Sequence, residues 1–415
     1  MNVLLVAANT ERFNMLTLPV GLGLVAAATR QAGHVTTFLD LLDAVDPAAA
    51  LRDAIERTRP DVIGVSIRNI DDQASAAPRL LLEQAKVVIE QCRALCDAPI
   101  VLGGPGYSIF PVEVLAYLGA DYGVWGDGET AFPAILEQLR KGEDPCEVPG
   151  VLHAGEPLPE QLAIAPDLDT LPLWDELGSW PGDRGDPGLW VPIQSRRGCP
   201  NDCSYCSTSR VQGRTIRTRS PKLVVEHIER LAVSGFRQFY FVDNSFNIPE
   251  PHALELCRRL AALDLHVTWR CILYPEKVSE PLVRAMAEAG CTEVALGFES
   301  GSPQMLREMN KRYTPAQVRS ASDLLRTYGI RRMGFLLLGG PGETRETVEE
   351  SLSFAASLEL DALRVTVGIR IYPGTPLARR AVSEGLIASE NDLLIPKFYL
   401  TPGLEPWIRT RVAGM

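Results

Sequence analysis

Three thiols lie close together in the stretch Ser195–Arg196–Arg197–Gly198–Cys199–Pro200–Asn201–Asp202–Cys203–Ser204–Tyr205–Cys206. Their spacing is Cys-x3-Cys-x2-Cys, and Gly198 and Pro200 keep the segment a loop rather than a helix. Three such thiolates can hold three irons of a [4Fe–4S] cubane. The fourth iron is then open to an outside ligand, whereas an electron-transfer ferredoxin closes that corner with a fourth cysteine. An open iron points to chemistry on a bound molecule. The competing readings of the same residues are a zinc site or three unrelated thiols. Zinc takes four ligands, and no nearby Cys or His supplies the fourth.

A loop of this kind needs a rigid carrier. Trp190–Ser195 reads as a strand leading into it, and strands follow at Gln238–Val242, His266–Ile272, Glu293–Phe298, Arg332–Leu338 and Leu363–Ile371. Helical patterns such as Lys222–Gly235, Pro281–Ala289 and Pro315–Tyr328 alternate with them. Six βα repeats predict a partial, six-stranded parallel barrel, with functional groups at the carboxyl ends of its strands. Those ends read Asp243–Asn244–Ser245–Phe246, Glu299–Ser300–Gly301–Ser302 and Gly339–Gly340–Pro341–Gly342–Glu343–Thr344. Each acid there has a plainer use as a helix cap. Arg210, Arg214, Arg217 and Arg219 form a basic run after the third cysteine and read as a solvated face.

Upstream, apolar strands at Asn2–Ala8, Val35–Leu39, Asp61–Ser66, Pro99–Gly103 and Tyr122–Trp125 alternate with helices at Val20–Gln31, Asp46–Thr58, Ala77–Leu95, Val112–Leu118 and Glu129–Lys141. Continuously apolar strands are those of a parallel sheet covered on both faces, so this half reads as a doubly wound, flavodoxin-like α/β domain. Ligands of such sheets bind beyond the carboxyl ends of the strands. Ser66 and Arg68 lie there, as do Gly103, Gly104, Gly126, Gly128 and Glu129. A Gly-rich βα turn taken singly is a tight turn; three on one sheet edge point to a ligand. The boundaries read as a first domain over 1–148, a Pro-, Asp- and Gly-rich linker over 149–189, a barrel over 190–378 and a C-terminal extension over 379–415. The linker carries Trp174 and Trp180, which read as packing residues.

A chain of 415 residues suits two domains. Its net charge of -11 argues against a nucleic-acid partner held through phosphates. No apolar run approaches a membrane span, so no stable membrane insertion is expected, and residues 1–10 lack the basic start and cleavage site of a signal peptide. Nine cysteines in this length are not a disulfide scaffold. The other six are Cys92, Cys96, Cys146, Cys257, Cys271 and Cys291; Cys92 and Cys96 read as a buried, inert pair. A reducing, cytoplasmic compartment is expected.

The cysteine loop resembles the signature of the radical S-adenosylmethionine (SAM) enzymes, including the aromatic Tyr205 before the third cysteine. The resemblance implies that Cys199, Cys203 and Cys206 ligate the [4Fe–4S] cluster and that the open iron chelates SAM. It further implies that Asp243 and Asn244 meet the SAM amino group, that Glu299 and Ser300 lie near its ribose and methionyl group, and that Gly339 flanks the adenine. The family's Gly-Gly-Glu after the second strand is replaced here. The first domain resembles the cobalamin-binding fold, in which a serine and a Gly-Gly pair, here Ser66 and Gly103–Gly104, contact the dimethylbenzimidazole tail. That fold's Asp-x-His-x-x-Gly is absent, since the region reads Asn9–Thr10–Glu11–Arg12–Phe13–Asn14, which implies cobalamin without a histidine beneath cobalt. An empty or repurposed domain is the alternative.

Together these resemblances imply a cobalamin-dependent radical SAM methyltransferase. Such an enzyme methylates an unactivated carbon of a small metabolite or lipid precursor through a 5′-deoxyadenosyl radical and methylcobalamin. It takes electrons from an external flavodoxin- or ferredoxin-type donor. The alternatives are a rearrangement, cyclisation or oxidation with the same cofactors, and a non-catalytic cobalamin carrier.

Overall fold

A computed structural model describes residues 1–11, 18–42, 44–174 and 188–413. It divides into two compact units. The first comprises Met1–Gly188, Ser207–Arg217 and Leu394–Pro396; the second comprises Leu189–Cys206, Thr218–Leu393 and Lys397–Met415. The eleven residues after the third cysteine, Ser207–Arg217, thus pack with the first unit, although sequence order places them inside the barrel.

The first unit is built on strands β1 (Asn2–Ala7), β2 (Val35–Asp40), β3 (Val62–Ser66), β4 (Ile100–Gly103), β5 (Tyr122–Val124) and β6 (Val151–His153). Their order is β2-β1-β3-β4-β5-β6. The chain runs one way from β1 to β2 and the other way from β3 onward, so the order reverses between β1 and β3, where doubly wound sheets bind ligands. Val3 to Val6 are wholly buried, as are Val62 and Ile63, because helices cover both faces. Helix Pro47–Thr58 starts where the sequence indicates: the Asp46 carboxylate accepts from the amides of Ala48 and Ala49, both at 3.0 Å. The helix read as Ala77–Leu95 begins later, at Leu82. Cys96 lies just past its end in extended conformation, so the two thiols do not share a helical face. β6 pairs antiparallel with β5; this edge strand falls in the stretch read as linker. Trp180, residues 12–14 of the Asn9–Asn14 stretch and the greater part of the linker's second half lie outside the described residues.

The second unit carries β7 (Val191–Ile193), β8 (Gln238–Phe241), β9 (Thr268–Leu273), β10 (Cys291–Glu299), β11 (Arg331–Leu338) and β12 (Ala362–Val367), paired parallel in sequential order. This is the expected six-stranded partial barrel. Its strands alternate, unlike those of the first sheet. On β10, Val294, Leu296 and Phe298 are buried, while Ala295, Gly297 and Glu299 are half-buried. On β11, Leu336 and Leu338 are buried, while Met333, Phe335 and Leu337 are half-buried. One row packs under the helices and the other faces the barrel interior. The last strand, read as Leu363–Ile371, is broken at Gly368, whose φ is 87°. Ile369–Arg370 beyond the break pairs antiparallel with Phe398–Tyr399. Among the described residues no helix is long and apolar enough to cross a membrane.

Candidate functional site

The cysteine loop leaves the end of β7 and is fixed from beneath by two buried side chains. Asp243, at the end of β8, takes the Ser195 amide at 2.9 Å, the Ser195 hydroxyl at 2.6 Å and the Arg196 amide at 3.1 Å. Arg196 is 1% exposed; its guanidinium donates to the carbonyls of Ser245 (2.8 Å), Ile248 and Gly198. Gly198 has φ 87°, a left-handed turn that a β-carbon would strain.

None of the three cysteines is in a disulfide. Burial pushes the Cys199 and Cys203 thiols up, the neighbouring thiols oppose their ionisation further, and Lys311 pulls both back down. Among the described residues no three His, Cys, Asp or Glu side chains gather closely enough for a single metal ion. A tetrahedral zinc site needs sulfurs about 4 Å apart. A cubane spreads its thiolates over separate irons. Three thiols spread along one loop beside a buried cation fit the larger, anionic group better than one ion.

Glu299 ends β10 beside this loop. The β10–β11 register shifts between Leu296 and Glu299, and Glu299 has φ 61°, which costs a non-glycine residue about 1 kcal/mol or more. The shift aims its carboxylate at the loop: Oε1 accepts the Tyr205 hydroxyl at 3.0 Å and lies 3.4 Å from the Lys311 ammonium. The Lys311 side chain is 5% exposed and stands 5.1 Å from the Tyr205 ring centroid and 5.9 Å from that of Tyr313. Burial works against its charge, but Tyr205 and Glu299 overcome this and hold the ammonium protonated. Sequence reading missed Lys311 because it sits in Asn310–Lys311–Arg312, a run that reads as solvated surface.

Several strand-end residues turn away from any ligand. Asp243 is 1% exposed and both its oxygens are used by the loop, so it anchors the cysteines instead of meeting the SAM amino group. The adjacent Asn244 is half-buried at the same rim. Ser300 is wholly buried, with its hydroxyl 2.7 Å from that of Ser351 on helix Arg345–Ser357 and accepting the Ser302 amide at 3.0 Å. It thus faces the helix layer and not a ribose. Gly339 follows β11 and is buried; its amide donates to Glu343, and its carbonyl accepts the Thr401 amide at 3.0 Å. The second Glu343 oxygen, Oε1, is buried without a partner.

In the first unit Ser66, Arg68, Gly103 and Gly104 come together. The Ile67 amide donates to the Gly103 carbonyl at 2.8 Å, and the Gly106 amide to the Ile67 carbonyl at 3.0 Å. Gly104 has φ 97°, and a β-carbon there would lie 2.6 Å from the Ile67 carbonyl and 2.9 Å from the Ser66 hydroxyl. At Gly103 a β-carbon would meet nothing within 4 Å. A bare backbone edge flanked by a hydroxyl fits a large planar ligand approaching the strand ends. Arg68 is half-buried, and desolvation lowers its pKa. The fifth-strand residues do not join this edge. Gly126 is covered by the chain, since a β-carbon would lie 2.3 Å from the Ala163 carbonyl. Gly128 permits the close approach of Val25 on helix Val20–Gln31. Glu129 is buried in the first turn of helix Gly128–Lys141. The neighbouring Asp127 accepts from Arg217 at 2.5 Å and from the Ala165 amide at 2.9 Å, so Arg217 is a buried structural cation; Arg219 is buried as well, and these two arginines of the basic run are not a solvated face.

Comparison with known proteins agrees with both halves. Residues 193–355 match the model of the radical SAM superfamily, and residues 8–136 match that of the B12 binding domain. An uncharacterized methyltransferase of Pyrococcus horikoshii is 27% identical over 383 residues, covering 90% of this chain and 80% of the relative. A tryptophan 2-C-methyltransferase of Streptomyces laurentii is 26% identical over 439 residues, covering 89% and 73%. The solved structure of the radical SAM methyltransferase TsrM from Kitasatospora setae, with tryptophan and a SAM analogue bound, superposes with a TM-score of 0.86. It is 23% identical and covers 99% of this chain and 87% of its own, which shows a shared fold.

Proposed function

We propose, since this chain belongs to the radical SAM enzymes that carry a cobalamin-binding domain, that it methylates an unactivated carbon of a small molecule, a metabolite or lipid precursor. Its cofactors are a [4Fe–4S] cluster, SAM and cobalamin. When bound, they supply a carbon-centred radical and a transferable methyl group. The observation that carries the reading is the presence in one chain of a three-thiol loop at a barrel rim and a bare glycine edge at the carboxyl ends of β3 and β4 in a doubly wound sheet.

The chain's own residues position and exclude. Cys199, Cys203 and Cys206 would ligate three irons, held at fixed spacing by Asp243 and Arg196. Asn244 at the rim would meet SAM, and Glu299 would reach it through the oxygen not taken by Tyr205 and Lys311. Ser66, Gly103 and Gly104 would receive the cobalamin tail, with Arg68 beside them. The half-buried interior row that includes Ala295, Met333 and Phe335 would shield the radical and the substrate from water. A flavodoxin- or ferredoxin-type protein would supply electrons, and the reducing cytoplasm suits both the thiols and the donor.

The test is anaerobic reconstitution with iron, sulfide and hydroxocobalamin, followed by mass analysis of candidate substrates. The reading expects cluster and corrin absorption bands, 5′-deoxyadenosine and S-adenosylhomocysteine as co-products, and a product heavier by one methylene. Protein that takes up a cluster but no cobalamin, or a product of unchanged carbon count, would refute methylation. Cys203→Ala is expected to abolish SAM cleavage.

A further inference from the structure

We propose that Lys311 is a fixed counter-charge to the iron–sulfur cluster and raises its reduction potential. This rests on the cluster being held by Cys199, Cys203 and Cys206. With three thiolates the oxidised cluster site is already anionic, and reduction adds one more negative charge. A cation that cannot leave favours the reduced state, and its effect is strong where water does not screen it.

Lys311 meets those conditions. Its side chain is almost fully buried between Tyr205, Tyr313 and Glu299. Its backbone is pinned, the Lys311 amide donating to the Leu306 carbonyl at 2.8 Å. The residues on either side are tied to the cysteine loop. Asn310 donates to the Asp202 carbonyl at 3.0 Å, Arg312 to the Asp202 carboxylate at 3.0 Å, and the Ser204 amide to the Met309 carbonyl at 3.0 Å. The turn carrying the ammonium and the loop carrying the thiols are therefore one stitched unit. The ammonium lies over the ring of Tyr205, which stands between the second and third cysteines of the loop. Arg196, also buried beneath the loop, spends its guanidinium on three carbonyls. No step of the proposed methylation otherwise uses Lys311, which acts here as a positioning residue for charge.

The experiment is an EPR-monitored redox titration of reconstituted protein without SAM, comparing wild type with Lys311→Gln, Lys311→Arg and Glu299→Gln. Iron content and far-UV circular dichroism are measured in parallel. Lys311→Gln is expected to make reduction at least tenfold less favourable, about 59 mV for a one-electron couple. Lys311→Arg should recover most of that shift. Glu299→Gln, which removes the anion opposing the cation, should move the midpoint in the opposite direction. A merely structural role would not give shifts of opposite sign. Equal midpoints in wild type and Lys311→Gln would overturn the inference. If Lys311→Gln holds no cluster, the decision falls to Glu299→Gln, and an unchanged or lowered midpoint there overturns it. Wild-type protein that takes up no cluster would instead defeat the proposed function itself.

Discussion

Ser195 gives both its amide and its hydroxyl to the carboxylate of Asp243, at 2.9 and 2.6 Å. This pair of hydrogen bonds from the end of β7 to the end of β8 sets where the cysteine loop begins. Charge-assisted hydrogen bonds of this length are each worth about 1.5–3 kcal/mol, and buried donors left unmatched cost a similar amount. Asp243→Ala should therefore lower the iron retained after reconstitution severalfold, while the first unit still takes up cobalamin. Iron analysis and corrin absorbance on the same sample measure both. A variant with full iron content and weakened SAM affinity would return Asp243 to the role of an amine ligand.

Ser300 gives the converse case. Its hydroxyl lies under helix Arg345–Ser357 against Ser351. Ser300→Ala should reduce stability by about 1–3 kcal/mol through the donors it leaves unmatched, and should leave the KM for SAM unchanged. Denaturant unfolding and SAM-cleavage kinetics separate the two; an altered KM with wild-type stability would contradict the buried placement.

These two residues show what the sequence could and could not reveal. The cysteine spacing is local chemistry and is legible as it stands, and so are the βα alternation and the two sheets. A strand end identifies the rim but not which way a side chain turns there. Asp243 and Ser300 share that rim with Asn244 and Glu299 yet point into the protein. Gly126 and Gly128 share the first sheet's edge with Gly103 and Gly104, but they serve contacts with Ala163 and Val25 that are remote in sequence. Lys311 is hidden for the opposite reason: its run is charged, and only tertiary packing against Tyr205 and Tyr313 buries it. The broken last strand turns on Gly368, a single residue inside an otherwise apolar run.

The two adjacent glycines at the first sheet's edge should behave differently. A methyl group at Gly104 collides with the Ile67 carbonyl and sits at φ 97°, so Gly104→Ala should lower the melting temperature of cobalamin-free protein as well as cobalamin affinity. Gly103→Ala projects its methyl where no protein atom lies within 4 Å. It should leave the cobalamin-free melting curve as it is and weaken hydroxocobalamin binding tenfold or more. Binding titrations and differential scanning calorimetry check both arms. Unchanged affinity in Gly103→Ala would remove this edge from the cobalamin site.

Glu343 carries a pH dependence. It is 3% exposed, and burial raises its carboxyl pKa to about 7, although the amides of Gly339 and Gly340 favour ionisation. In the unfolded chain the same group titrates at 4.5. Between those values the folded protein holds a proton that the unfolded chain has lost. The contribution of Glu343 to stability is thus fully present below pH 4.5 and falls as pH rises, until the buried carboxyl has ionised above 7. The decline amounts to roughly 3 kcal/mol at most across that window. Glu343→Gln keeps an acceptor for the two glycine amides and has no proton to lose, so its stability should lack this decline. Chemical denaturation at pH 5, 6, 7 and 8 gives the two slopes; parallel curves for wild type and Glu343→Gln would show that the carboxyl titrates alike in the folded and unfolded states.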